Sequence, residues 1–294
     1  MTGPRPRLHR AHLSYLPLTA LAVLFGLPLV FMFMSSLKPD LQIFADLKSW
    51  RAFAPVGEVS MANYAAVFDR VPAMQFMLNS LIVALGIVVV GLVVNSMAGF
   101  TLSRLHWRGR GAVFAVIIAT LIVPFEVIAV PMVFWVTQLP WIEFDGLIPV
   151  LEQGWMNSYR VQIVPFIANA FSIFLFAQYF SSIPRELDEA ARIDGCSWFG
   201  VYRKVIVPLS GPAFATVAIL TFLPSWNSYL WPLMVVQQEE LRPVQVGVQY
   251  FFQLDPAWGE MMAYTSMITV PVLVFFVAFQ RAFVKSIAST GLKG

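Results

Sequence analysis

FMLNSLIVALGIVVVGLVVNSMAGFTLS, residues 76–103, contains no charged side chain. It is longer than the roughly 20 apolar residues a helix needs to cross a hydrocarbon core of about 30 Å. Its apolar residues form an uninterrupted run rather than recurring at helical or strand spacing over a polar background, so the run is matched to lipid. Five further runs of the same kind lie at Leu13–Ser36, Ala112–Thr137, Val161–Ser181, Pro212–Val236 and Gly259–Gln280. The expected fold class is an all-α membrane protein with six transmembrane helices. Residues 1–294 read as a single domain, because no internal repeat or low-complexity tract breaks the chain.

Composition points the same way. The chain is 59% hydrophobic and 12% charged, against about 25% charged residues in an ordinary soluble domain. Its net charge of +3 comes from basic residues scattered in short loops rather than gathered in a stripe, which argues against nucleic acid as a partner. Cys196 is the only cysteine, so an intrachain disulfide is excluded and a thiolate metal site lacks a second thiol.

Orientation follows from the loops, because positive charge accumulates on the cytoplasmic side of a membrane. With six spans both termini share a side, and that side carries 13 Lys and Arg against 6 on the other. Both termini are therefore predicted to be cytoplasmic. Trp50, Trp141, Trp155, Tyr159 and Trp258 fall in the outward segments, as aromatic residues at headgroup level do. Arg5, Arg7 and Arg10 before the first run resemble the start of a secretory signal. That run is too long for a signal core and no small-x-small cleavage site follows, so an uncleaved anchor is expected. In the outer loop 37–75, the stretch 50–64 reads either as a segment lying along the membrane surface or as a connector.

The third cytoplasmic loop, SSIPRELDEAARIDGCSWFGVYRKVIVPLSGP at 181–212, reads as two short helices around a turn. Ser182 is placed to cap the first helix and Pro184 suits its first turn, while Glu186, Asp188 and Glu189 put negative charge at the positive end of its dipole. Gly195 supplies the turn. The second helix is expected over 197–206, with Arg203 and Lys204 near its C-terminus and Pro208 stopping it. Ala190 and Ala191 are small enough for another protein to approach closely, and Trp198, Phe199 and Tyr202 offer aromatic contact area. The residues alone leave two readings open: a docking element, or a hairpin that covers the ends of the bundle.

Glu189-Ala190-Ala191, Asp194-Gly195 and Pro208 resemble the EAA loop of bacterial and archaeal binding-protein-dependent ABC importers. Val205 and Val207 stand where that pattern has Ile and Leu. IVPFEVIAVP at 122–131, FLPSWNSYLWPLMVV at 222–236 and FQRAFVKSIASTGLKG at 279–294 look like the MalG-like branch of the maltose-permease group. The likeness runs from about Leu16 to Gly294, with a longer outer stretch at 139–159. It implies a type I ABC importer permease fold in the bacterial or archaeal cytoplasmic membrane. It also implies three partners: a second, MalF-like permease subunit, an ABC ATPase dimer and an extracytoplasmic solute-binding protein. By the same resemblance Glu189, Ala190, Ala191, Asp194, Gly195 and Pro208 form the ATPase-coupling element, and 289–294 reach the ATPase interface.

No catalytic site, cofactor site or metal site is expected in the chain. It has no Gly-Lys pair, hence no phosphate-binding G-x-x-x-x-G-K-[ST] loop, so ATP and Mg would be bound by the partner ATPase. It also lacks H-E-x-x-H and G-x-S-x-G, and His9, His12 and His106 fall outside the spans.

Polar side chains that interrupt apolar spans are the candidates for a translocation path, because such groups are costly in lipid. They are Asn79, Asn95, Glu126, Asn169, Ser225, Trp226, Asn227 and Tyr229. The competing reading of each is an interhelical hydrogen bond. Trp226, Asn227 and Tyr229 combine aromatic faces and amide groups as a sugar would require. A path for glycerol phosphate or another anion should carry basic groups, and none is evident in the spans. A self-sufficient channel or carrier would need a filter sequence or intramembrane ion pairs, to which only Glu126 and Glu260 come close.

Overall fold

The computed structural model describes residues 8–145, 148–252 and 256–291. The chain gathers into two compact units, Met1–Ala73 with Val248–Val270 and Met74–Gly247 with Pro271–Gly294.

In the first unit, α1 (Leu8–Ser35) is followed by α2 (Asp40–Asp46), a 3₁₀ turn at Trp50–Phe53 and α3 (Ala62–Arg70). Polar side chains hold this unit together. Lys38 is buried and donates to Asp46 Oδ2 at 2.9 Å and to the Arg51 carbonyl at 2.6 Å. Asn63 Nδ2 donates to the carbonyls of Ser36 and Lys38, just past the end of α1, at 2.9 and 2.8 Å. Asp40 accepts from the backbone N–H groups of Trp258 and Gly259 at 3.1 and 2.7 Å, so a carboxylate satisfies orphan donors at the start of the long last helix.

In the second unit, α4 (Ala73–Arg104) is a continuous helix, and α5 (Arg110–Ala119) and α6 (Phe125–Val136) follow it. Next come a hairpin of β1 (Pro140–Asp145) and β2 (Ile148–Gln153), then α7 (Tyr159–Ile163) and α8 (Ala170–Ser181). The loop that follows α8 holds α9 (Glu186–Ile193), α10 (Trp198–Val201) and α11 (Val207–Leu209). The chain continues through α12 (Gly211–Trp226), α13 (Leu230–Val235), α14 (Val244–Gly247) and α15 (Trp258–Gly291). Leu292–Gly294, the end of the tail read above as reaching a partner, lie outside the described residues.

One expectation needs correction. The all-α class gives way to a mainly helical chain with one antiparallel hairpin, in which Pro140 faces Gln153 and Asp145 faces Ile148. Six transmembrane helices were expected; among the described residues three continuous helices are long and apolar enough to cross a membrane, Tyr15–Ser35, Ala73–Arg104 and Trp258–Gln280, and the number of spans rises to as many as six if each of three bent helix pairs makes one. The other apolar stretches form bent pairs, Arg110–Ile122 with Phe125–Val136 at 103°, Tyr159–Phe166 with Ala170–Ser181 at 42°, and Trp198–Leu209 with Gly211–Trp226 at 81°. Proline accounts for much of this. Val123 is pushed into an extended conformation ahead of Pro124, and Pro212 starts α12 after a non-helical Ser210.

Close approach at glycine sets the packing along α4. A Cβ on Gly99 would lie 2.6 Å from Phe176 Cβ and 3.0 Å from the Ala177 nitrogen, so α8 rests against α4 where no side chain intervenes. Below it, Phe176, Phe180, Phe100, Tyr202, Ile206 and Val217 form a buried cluster that joins α4, α8, the loop and α12.

Two outcomes are expected. Gly99→Val overpacks the contact between α4 and α8 at a cost of about 1–3 kcal/mol. A melt in detergent checks it, and an unchanged midpoint would remove Gly99 from the packing. In the first unit, the hydrogen bond from Lys38 holds the Asp46 carboxyl below its ordinary value of 3.8. Its contribution is therefore complete at neutral pH and is lost as pH falls through the lowered value. Asp46→Asn should lower the melting temperature at pH 7, and the gap to the parent protein should close in acid.

Candidate functional site

The loop from Glu186 to Leu209 is mounted on the bundle by one buried ion pair. Arg104, the last residue of α4, places Nη1 3.1 Å from Asp188 Oδ2, and both side chains are almost fully buried. Its Nη2 donates to the carbonyls of Phe180 and Ile183 at 2.5 and 2.7 Å. A cation thus satisfies carbonyls at the C-terminal end of α8, where the helix dipole favours it, and it fixes α9 to the same point. Burial pushes the Asp188 carboxyl above its ordinary range while the guanidinium facing it pulls the other way.

Sequence reasoning placed Asp188 with Glu186 and Glu189 as dipole charges. The structure separates them: Asp188 points inward, and Glu186 and Glu189 are exposed. Ser182 also differs from expectation. It donates to the Tyr179 carbonyl at the end of α8 and does not cap α9.

The end of α9 is a Schellman turn. Gly195 adopts φ +85, its N–H donates to the Arg192 carbonyl at 3.1 Å, and the Cys196 N–H donates to Ala191 at 2.9 Å. Asp194 forms the C-cap, and Ser197 then caps α10 by accepting from the Gly200 N–H at 3.2 Å. Pro208 does not stop the helix as expected. The backbone widens into a π turn at Tyr202–Ile206, continues through Pro208 to Leu209 and breaks at Ser210. The wider turn gives the proline ring room beside the carbonyl four residues earlier.

Tyr202 anchors the segment from inside. Its hydroxyl lies 2.7 Å from Ser96 Oγ, which donates to the Val93 carbonyl, so the tyrosine donates.

The outward face is largely exposed. Glu189, Ala190, Asp194, Gly195 and Pro208 are exposed together with Leu187, Ile193, Trp198 and Phe199, while Ala191 is half-buried against the cluster. Ile193 is 86% exposed and Phe199 59%, more apolar surface than a loop meeting only water would carry.

The predicted path residues scatter. Asn79 donates to the carbonyls of Glu240 and Arg242 at 2.7 and 2.9 Å and accepts from the Tyr159 hydroxyl at 2.6 Å, so its amide is spent on pinning a loop. Asn95 donates to the Ile167 carbonyl and accepts from the Asn169 N–H, both at 2.9 Å, and so bridges the break before α8. Trp226 is buried and stacks on Phe222. Asn227 is exposed, donates to the Leu223 carbonyl and accepts from Gln245. Tyr229 is exposed and Glu126 is exposed in the first turn of α6. None of these six lines the main cavity of this unit.

That cavity, of about 300 Å³, includes Ser225 and Asn169 from the expected set. Its aromatic wall is Phe125, Phe166 and Trp231, with ring centroids 5.6 to 6.1 Å apart in tilted and edge-on arrangements. Trp231 Nε1 donates to the Val161 carbonyl at 2.8 Å, which locks the indole. Gln162, Thr221 and Ser228 add polar groups. Sequence reasoning missed Gln162 and the three aromatic residues. A polar residue inside the apolar run 161–181 was the available signal for Gln162; nothing local distinguishes these aromatics from the chain's many others.

Residues 87–289 match the family model described as "Binding-protein-dependent transport system inner membrane component". The chain is 33% identical over 219 residues to the arabinooligosaccharides transport system permease protein AraQ of Halalkalibacterium halodurans, covering 74% of this chain and 73% of that protein. It is 32% identical over 225 residues to the sn-glycerol-3-phosphate transport system permease protein UgpE of Salmonella typhi, covering 76% and 75%. Its fold matches a chain of a bacterial ABC transporter involved in the import of the acidic polysaccharide alginate. The TM-score is 0.76 at 22% identity, over 96% of this chain and 100% of that one.

Breaking the buried pair should be expensive. Asp188→Ala leaves the Arg104 guanidinium without its counter-charge and is expected to cost about 3–5 kcal/mol, whereas Arg104→Met with Asp188→Leu recovers much of that. Melting of the three proteins in one detergent tests this; an Asp188→Ala protein that melts with the parent would show that the loop is mounted otherwise.

Proposed function

This chain belongs to the family of binding-protein-dependent transport system inner membrane components, and on that premise we propose that it is the permease subunit of an ATP-driven ABC importer that moves a sugar or oligosaccharide into the cytoplasm. The observation that carries the coupling part is the loop at 186–209, rigidly mounted on α4 and α8 from inside and bare on its outer face. An ATPase subunit docks on Glu189, Ala190, Ala191, Asp194, Gly195 and Pro208. It supplies ATP and Mg, and its closure is passed through the Arg104–Asp188 pair to the bundle.

In this reading six spans are made by the three continuous helices, by the bent pairs that start at Arg110 and Tyr159, and by Gly211–Trp226 with the segment after it, while Trp198–Leu209 stays in the docking loop. The excess of Lys and Arg, 13 against 6, puts both termini in the cytoplasm. A second permease subunit completes the path, and an extracytoplasmic solute-binding protein delivers the cargo. The match to an arabinooligosaccharide permease supports a carbohydrate. The match to a glycerol phosphate permease keeps an anionic cargo as the second reading. The cavity lining carries no charged side chain, which favours the neutral cargo.

The test is co-purification of the tagged chain expressed with its neighbouring genes, comparing the parent with Glu189→Lys and Gly195→Asp. Glu189 is exposed in the first turn of α9, so a charge reversal there should cost about 1 kcal/mol through the helix dipole, too little to unfold the loop. Gly195 sits at φ +85 with open space around it, so a side chain there strains the turn without a clash. An ATPase and a second permease should accompany the parent, with the ATPase lost, or no longer answering the binding protein, in both variants. A chain that purifies alone, transports unaided and ignores both substitutions would replace the importer with a self-sufficient carrier.

A further inference from the structure

We infer that residues 40–53 of the first unit form a lipid anchor. Leu41, Phe44, Leu47 and Trp50 are set into the boundary between phospholipid chains and headgroups, and Lys48 and Arg51 reach the headgroup phosphates. This goes beyond the importer reading and rests only on α1 and α15 being spans.

The segment is held at the ends of two apolar helices. α1 is exposed almost all round from Tyr15 to Val30, and it is covered only from Phe31 on. Part of that cover is Phe53, whose ring lies 6.1 Å from the ring of Phe31. Phe31 sits four residues inside the end of α1 at Ser35, about 6 Å along a helix axis. The 3₁₀ turn at Trp50–Phe53 is thus level with the closing turn of a span and not above it. On the other side Phe44 meets Trp258, the first residue of α15, edge-on at 6.1 Å.

Polar bonds fix this placement. The buried Lys38–Asp46 pair ties α2 to the end of α1, Lys38 also holds the Arg51 carbonyl, and Asp40 caps α15. Both carboxylates of the segment are engaged inside the unit. The exposed charges of residues 40–53 are therefore Lys48 and Arg51 alone.

Along α2, Ile43 and Asp46 face the protein, and Leu41, Phe44 and Leu47 stand on the opposite side at helical spacing. Leu41 is 88% exposed and Trp50 70%, a row that is costly in water and favourable beside acyl chains. Trp and the long stems of Lys and Arg suit the chain-to-headgroup boundary. Lipid fits this face better than a protein neighbour does, because a phospholipid presents both an apolar chain and a negative phosphate at this level. The surface-lying stretch is then 40–53, which overlaps the 50–64 of the sequence expectation only at the 3₁₀ turn.

The experiment uses the purified importer, or the chain alone if it purifies alone, in liposomes of phosphatidylethanolamine and phosphatidylglycerol carrying radiolabelled phosphate. The photoreactive residue p-benzoylphenylalanine replaces Leu41, Leu47 or Trp50 in turn, all of them exposed, so the packing of the unit is kept. Val23, exposed within α1, takes the same residue as the control for reactivity. Illumination should attach labelled phospholipid at all three sites, several-fold above the unlit sample, with no adduct of protein size. Phosphatidylglycerol should be preferred several-fold, and Lys48→Gln with Arg51→Gln should abolish that preference while the adducts remain.

An adduct the size of the binding protein or of the second permease at Leu47 or Trp50 overturns the inference and identifies the protein that covers the face. Reaction at Val23 with none at the three sites also overturns it, because the segment then lies in water. Equal labelling by the two lipids in the parent overturns the contact of Lys48 and Arg51 with headgroups. A chain that purifies without partners removes the importer reading but should still give the lipid adducts, so the two failures are told apart.

Discussion

A helix that breaks inside an apolar span exposes backbone N–H and C=O groups that lipid cannot satisfy. The apolar stretches of the second unit bend at Val123–Pro124 and ahead of α8, and several buried polar side chains serve loose backbone groups of this kind. Asn95 sits on the unbroken α4 and offers one end of its amide to each side of the gap before α8, taking the Asn169 N–H and giving to the Ile167 carbonyl. Asn169 then caps α8 with its own side chain. Asn79 and Ser80 do the same for the returning segment at 239–244. The straight helix thus serves as a rail of donors and acceptors for its bent neighbours.

Arg104 applies the same logic at the end of the rail. Its guanidinium collects the loose carbonyls at the end of α8 and the carboxylate of α9, so one side chain joins a span, a neighbouring span and the loop. Desolvating both charges makes the pair costly, and its value lies in geometry rather than in net stability. Below the pair, the cluster around Phe176, Phe180 and Tyr202 resists deformation as close-packed interiors do. The close packing and the Arg104–Asp188 pair tie α9 to α4 and α8 at the same point.

The polar groups left over after this bracing are the ones that mark the cavity. Asn79 donates both amide N–H groups and accepts at Oδ1, and Asn95 donates one and accepts one, whereas Gln162 keeps a buried acceptor idle. Polarity inside an apolar span therefore serves helix bracing at Asn79 and Asn95 and is left partly unspent at Gln162. The deciding quantity is the number of hydrogen bonds each group already makes.

The membrane class, the approximate positions of the apolar segments and the outward-facing EAA residues were legible in the sequence, because run length, charge distribution and a nearly contiguous motif are local properties. Gly195 is the clearest case, since only its backbone freedom suits φ +85. Where the helices break was only partly legible, because a proline permits a kink whose angle is set by neighbouring packing. The hairpin of β1 and β2 was not legible, because which residues pair across it is settled only by the structure. Asp188 looked the same as Glu186 and Glu189 until the partner 84 positions earlier was in view. The split between Asn79 or Asn95 as braces and Gln162 as a free acceptor was decided by tertiary structure alone, because each depends on carbonyls and N–H groups far away in the chain that no local pattern encodes.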